Sequence, residues 1–263
     1  MDFMVCAYGE PSEEKFIPYV ESYVAGVELQ NYDRNGVLSS EAWAEVLEQH
    51  RSIVSKLHGR LAIHGPYTGI DFGHKDHLLK DAVRKRMDMT YQAVRELKPD
   101  TLVLHTGCSE QMLRYNLTEN WLETAAEFWR SEIVRYAECR VRVVLENVVE
   151  QSPDLMIELA DRVDNEHFGF CLDIGHANLC SQLPPSQWVE KMGRRLKHVH
   201  LHDNDGQRDD HLPVGQGSID FDSFFETLYK LVPDVTVSME VIASPEVVVE
   251  NVIYVTERYV RKS

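Results

Sequence analysis

The sequence predicts an α/β chain closed as a (β/α)8 barrel of the TIM type, and three observations carry that expectation. Short, β-prone apolar runs alternate with amphipathic segments from end to end, which argues for parallel strands joined by helical crossovers. Eight such units over 263 residues give about 33 residues each, close to the size of one strand–helix unit. No Pro/Gly/Ser-rich linker divides residues 1–263, so a single barrel domain is expected across them. An open, doubly wound sheet is the fallback. Against it, no GxGxxG follows the first strand and no GxxxxGKS/T occurs, so no nucleotide cofactor is expected either.

The elements follow in order. FMVCAY (3–8) is the first strand, and Phe16, Ile17, Val20 and Tyr23 are then spaced for one face of a helix. VELQNY (27–32) is strand two; Ser39 and Ser40 offer an N-cap for a helix running to about Leu57. LAIHGPY (61–67) is strand three, followed by a helix over about 75–97. TLVLHTG (101–107) is strand four, and a helix over about 117–138 leads to strand five, VRVVLENV (141–148). Ser152-Pro153 opens the next helix, with proline at its first position. FGFCLDIGHANL (168–179) is strand six with the loop after it, and PPSQWVEKMGRR is a short helix. LKHVHLHD (196–203) is strand seven, before the helix FDSFFETLYKLV. TVSMEV (236–241) is strand eight, and PEVVVENVIYVTERYV closes the chain as a helix.

Bulk composition narrows the function classes. A chain that is 43% hydrophobic and 27% charged suits a soluble globular protein. No run of about 18 apolar residues exists, so no membrane-spanning helix is expected. The N-terminus lacks the basic start and apolar stretch of a secretion signal, and five scattered cysteines without CxxC spacing suit a reducing cytoplasm. The net charge of −16, from 27 Lys+Arg against 43 Asp+Glu, argues against a nucleic-acid partner, whose phosphates require basic patches. A small neutral or metal-bridged substrate fits better. Whether copies associate as a homo-oligomer is left open.

In a barrel of this type, chemistry gathers at the C-terminal ends of the strands and in the loops beyond them. Strand three ends with His64 and strand four with His105; strand five carries Glu146. Strand six gives Asp173 and His176, strand seven gives His198, His200 and His202 with Asp209 and His211 in its loop, and strand eight ends with Glu240. Glu146 and Glu240 lie in apolar runs, where a carboxylate must be paired or bound. A buried ion pair explains one such acid; acids or histidines at six successive strand ends point to a shared cation. Mixed imidazole and carboxylate ligands suit Zn2+, Mn2+, Fe2+ or Co2+. Within HVHLHD the period of two puts three histidines on one face. His198 is then the deepest and reads as a packed core histidine, His200 as the ligand, and His202 as a rim residue facing substrate or solvent. His50, His58, His74, His77 and His167 fall on predicted helices or their ends and read as surface residues.

The stretches HGPY, LHTG, LENV, LDIGHAN, HVHLHDND, DDHLPVGQGSIDF and SMEV together resemble the xylose-isomerase-like TIM-barrel superfamily, and within it the sugar-phosphate isomerase/epimerase branch. Type II apurinic-site endonucleases (endonuclease IV) are relatives there. The isomerase branch implies one divalent cation on Glu146, Asp173, His200 and Glu240, with Glu146 and Glu240 as an acid–base pair acting through an enediolate. It also implies a sugar or sugar phosphate as substrate, with His176, His64 and His202 as contacts to it. The endonuclease branch implies a multinuclear site that adds His64, His105, His176, Asp209 and His211 as ligands. A metal-dependent dehydratase acting on a keto-polyol is a further reading. Three positions depart from the usual pattern. His202 replaces the lysine of HVHLKD, Gln216 replaces the glutamate of GEG, and Thr106 stands where the endonucleases commonly carry proline.

Overall fold

The computed structural model describes residues 1–6, 13–30, 32–33 and 40–260. Eight parallel strands among them close in sequence order: β1 (Asp2–Cys6), β2 (Gly26–Leu29), β3 (Arg60–His64), β4 (Thr101–His105), β5 (Arg142–Glu146), β6 (Phe168–Asp173), β7 (Leu196–Leu201) and β8 (Thr236–Met239). Pairing of β1 with β8, from Asp2 opposite Thr236 to Val5 opposite Met239, shuts the barrel. The predicted fold class and strand order are those observed.

The crossovers are α1 (Ser40–Val54), α2 (His77–Leu97), α3 (Glu110–Arg114), α4 (Thr118–Glu138), α5 (Asp154–Val163), α6 (Ile174–Cys180), α7 (Pro185–Met192), α8 (Phe221–Leu231) and α9 (Pro245–Tyr259). Three differ from expectation, the first being α3, a short helix where none is expected between β4 and α4. The helix predicted around Phe16 is a 3-10 turn, Glu13–Tyr19, containing Pro18, which has no N–H to continue an α-helical ladder. The stretch after β6, expected as a loop, is helix α6: the Asp173 carboxylate accepts from the His176 backbone N–H at 2.7 Å and so caps it. The cap expected at Ser39 and the strand end at 7–8 lie outside the described residues. No described helix is long and apolar enough to cross a membrane.

The alternation of side chains along each strand divides the barrel into two environments. Outward residues such as Val27, Leu29, Val143, Leu145, Val237 and Met239 join one apolar core with the helices. Trp129 of α4 anchors that core, 4.7 Å from Phe72 and 5.2 Å from Phe168 between ring centroids. Truncating a fully buried tryptophan to alanine costs about 3–5 kcal/mol. Inward residues are different in kind. Val103, Val144 and Cys171 make a small apolar patch of their own. Around it stand Glu28, His198, His200 and Ser238, all without solvent exposure. A barrel lumen built this way has to satisfy its polar groups internally.

Candidate metal centre

The C-terminal strand ends bring Glu146, Asp173, His200 and Glu240 to one place, each at most 3% exposed. His200 lies among the three acids. Its Nδ1 is 3.2 Å from Glu240 Oε2, 3.4 Å from Glu146 Oε2 and 3.9 Å from Asp173 Oδ2. That nitrogen is buried and makes no properly directed hydrogen bond. Its other ring nitrogen, Nε2, is 3.0 Å from Glu28 Oε1. The carboxylate can only accept, so Nε2 carries a proton, and Nδ1 lies among three carboxylates without a directed bond to any of them. Only a cation, a proton or a metal, reconciles that arrangement.

A related pattern recurs at three other histidines of the mouth. His64 Nδ1 donates to the Gly65 carbonyl at 2.8 Å, and its Nε2 faces Glu146 Oε2 at 3.1 Å. His176 Nδ1 donates to the Asn147 carbonyl at 3.0 Å, and His211 Nδ1 to the Glu240 carbonyl at 2.7 Å. Their Nε2 atoms face one oxygen, Asp209 Oδ2, at 3.2 and 3.1 Å. In each case the outer nitrogen is tied down and the inner one turned to a carboxylate, the way metal-ligating histidines are held. Ligand atoms of His64, His105 and Glu146 lie within 4.8 Å of one another, as do those of His176, Asp209 and His211. The donor set of imidazoles and carboxylates fits a borderline divalent cation.

Charge follows the geometry. Burial pushes the Glu146, Asp173 and Glu240 carboxyls up, but neighbouring imidazoles outweigh it and hold all three below their ordinary range. Burial pushes His200 and His176 down, and the acids around them raise both well above the ordinary imidazole value. His211 is raised to about 9, burial again being overcome by Asp209 and its neighbours. His105, 3.7 Å from Glu146 and without a close acceptor, is instead lowered to about 4 by burial. A divalent cation held by Glu146, Asp173, His200 and Glu240 would compete with a proton for His200 Nδ1.

Local sequence explains the placement. The Asn147 side chain clamps the Asp173 backbone from both sides, donating to its carbonyl and accepting from its N–H at 2.9 Å each. The loop after β7 folds back on Asp203. One carboxylate oxygen takes the Asn204 and Ile219 N–H groups, the other those of Gly215 and Gly217. A Cβ at position 217 would meet the Asn204 carbonyl oxygen at 2.3 Å, so only glycine lets the loop approach this closely and present Asp209 and His211. The acids and histidines crowded after β7 thus serve both to pin a loop and to line the mouth.

The structure brings together every site residue expected from sequence, but not all as expected. His198 is a fully buried histidine, as read. His202 is not at the rim. It is fully buried, bonds Asp173 through Nε2 at 3.1 Å and stacks on His211 at 3.9 Å between centroids. Gly175 leaves the room: a Cβ there would lie 2.0 Å from the His202 ring. His50, expected at the surface, is 2% exposed and bonds the Tyr32 hydroxyl at 2.8 Å. Two inward residues of the second strand run were missed: Glu28, and Gln30, which donates to Glu240 Oε1 at 2.8 Å. The signal was there, since V-E-L-Q alternates with the same period as V-V-L-E of β5.

A family model described as xylose isomerase-like TIM barrel matches residues 21–257. The chain belongs to this family. The uncharacterized protein MJ1311 of Methanocaldococcus jannaschii is 27% identical over 218 residues, covering 77% of this chain and 73% of its own length. A D-tagatose 3-epimerase-like protein superposes with a TM-score of 0.79 at 20% identity, over 98% of this chain and 96% of the other. The IOLI protein, solved with a zinc atom, superposes with a TM-score of 0.78 at 15% identity over the whole of both chains. At those identities the likeness to the two structures is one of fold.

Proposed function

We propose that this chain is a divalent-metal-dependent sugar or sugar-phosphate isomerase or epimerase. The observation that carries the reading is the fully buried Glu146–Asp173–His200–Glu240 group, with His200 Nδ1 among three carboxylates. The epimerase-like and zinc-containing structures of the same fold support it. When bound, the cation supplies Lewis-acid polarisation of a carbonyl and an adjacent hydroxyl. Asp173 and His200 act as ligands and are held for that by Asn147 and Glu28. Glu146 and Glu240 reach the same centre from β5 and from the end of β8. One carboxylate takes the proton from the carbon beside the carbonyl; the other, having first taken a proton from solvent, delivers it to the opposite face, and exchange of both carboxyls with solvent restores the starting state. His64 and His176 border this space and are placed to meet substrate hydroxyls.

A second reading, a metal-dependent phosphodiesterase acting at abasic DNA sites, is favoured by one feature. His64–His105–Glu146 and His176–Asp209–His211 form two further ligand-type groups. The charge balance stands against it, and none of the described strands ends C-terminally on a lysine or arginine. Proton NMR of a panel of ketoses and their phosphates in D2O separates the readings. Deuterium incorporation beside the carbonyl with appearance of the epimer or isomer supports the first, and loss of water indicates a dehydratase. No exchange, together with chelator-sensitive nicking of abasic DNA, refutes the first and supports the second.

A further inference from the structure

Glu28 lies one layer below the mouth, fully buried, and both its oxygens are engaged. Oε1 faces His200 Nε2 at 3.0 Å. Oε2 faces His198 Nε2 at 2.9 Å and the Ser238 hydroxyl at 2.6 Å. His198 in turn has the Thr236 hydroxyl 2.6 Å from its Nδ1. Neutral His198 can therefore donate a hydrogen bond from Nε2–H to Glu28, with the Thr236 hydroxyl facing its Nδ1. A carboxylate fixed by three donors is a rigid acceptor. If His200 carried its proton on Nδ1 instead, a lone pair would face Oε1 in a dry site, at the full cost of an unmade buried hydrogen bond.

We infer that Glu28 is a positioning residue that forces His200 into the tautomer with a bare Nδ1, and so makes it a ligand; this rests on the metal reading above. Glutamine at 28 keeps the volume but replaces one acceptor oxygen by an N–H2 group. Placed towards His200, that group meets Nε2–H donor against donor; placed towards Ser238 and His198, it is accepted only if the hydroxyl turns and His198 changes tautomer; in both cases the negative charge behind the His200 imidazole is lost. Losing such an outer partner typically weakens metal binding about 10–100-fold. Ser238→Ala is the structural control, since it removes a donor from Oε2 and leaves the Oε1–His200 bond in place.

The test is Zn2+ affinity by chelator competition for wild type, Glu28→Gln and Ser238→Ala, with circular dichroism and melting temperature as fold controls. The expected result is a 10–100-fold loss for folded Glu28→Gln, and unchanged affinity with a lower melting temperature for Ser238→Ala. Equal affinity in wild type and Glu28→Gln, or equal loss in both variants, overturns the inference while leaving the metal reading intact. A wild-type chain that takes up no Zn2+ overturns both. Should Glu28→Gln not fold, 15N-imidazole NMR of the zinc-loaded wild type decides. Nε2–H with Nδ1 on the metal supports the inference, and the opposite tautomer of His200 refutes it.

Discussion

Two groups of ligand-type side chains share the mouth of this barrel and are held in different ways. Glu146, Asp173, His200 and Glu240 come from strands or the residue just past one, and water reaches none of them to any extent. His176, Asp209 and His211 come from a short helix and a loop, and the Asp209 side chain is 34% exposed. A buried carboxylate has to be paired, hydrogen-bonded or protonated, whereas a half-exposed one is satisfied by water. On the proposed metal reading, the difference teaches that a cation should bind the strand-borne group more tightly than the loop-borne one.

The first way to break the comparison is at Glu240, which belongs to the strand-borne group and, on the proposed mechanism, also moves a proton. Glu240→Gln should keep the barrel folded and lower turnover by about two or more powers of ten even at saturating metal. Turnover with excess Mn2+, Co2+ or Zn2+, with circular dichroism as control, checks it. Near-normal turnover would remove Glu240 from the acid–base pair. Next, His200→Ala should abolish the tightest metal binding, while His211→Ala should leave it within about tenfold, less than the upper end of what an outer partner contributes. Metal content of the two variants after gel filtration decides, and equal loss from both would merge the two groups into one multinuclear cluster.

Chelation sharpens the contrast further. Metal present at about 100 times its dissociation constant stabilises the folded chain by about 2.7 kcal/mol. Thorough EDTA treatment should therefore lower the melting temperature by roughly 5–10 °C for a chain of this size. His211→Ala should show nearly the same drop, because the loop-borne group contributes little. An unchanged melting temperature in the wild type counts against a strand-borne cation.

The smallest effect comes from a buried histidine away from the mouth. Burial lowers His50 to about 4, whereas His211, next to Asp209, is raised to about 9. The unfolded chain protonates His50 near 6.5 and the folded chain resists until about 4. The stability from neutral His50 is thus complete above pH 6.5 and is lost as pH falls from 6.5 towards 4. At pH 5 the loss is on the order of 1–2 kcal/mol. His50→Gln should flatten the difference in urea-unfolding free energy between pH 7 and pH 5 by that amount. Parallel pH dependence in variant and wild type would show that His50 is not the group responsible.

How much of this was legible in the sequence depended on where each residue sits in the barrel. The eight strands read clearly because their outward faces pack Val, Leu and Ile against the helices at a period of two. The mouth residues read clearly because acids and histidines ended otherwise apolar runs, as at Glu146 and Glu240. Glu28 was not read because it lies below the strand ends, although its alternation with Val27 and Leu29 marked it as inward. His202 was misplaced because strand period gives the face of a side chain and not the cover over it; α6 and Gly175 supply that cover. His50 was misread because its helix turns it onto Tyr32, a contact that periodicity alone does not reveal.

The most direct test is anomalous diffraction from crystals soaked in Zn2+ and, separately, Mn2+. The account predicts a strong peak bounded by Glu146, Asp173, His200 Nδ1 and Glu240, at about 2.0–2.2 Å from its ligand atoms for zinc. A weaker or absent peak is expected among His176, Asp209 and His211. No peak within the strand-borne group, or a peak confined to the loop-borne one, would contradict it.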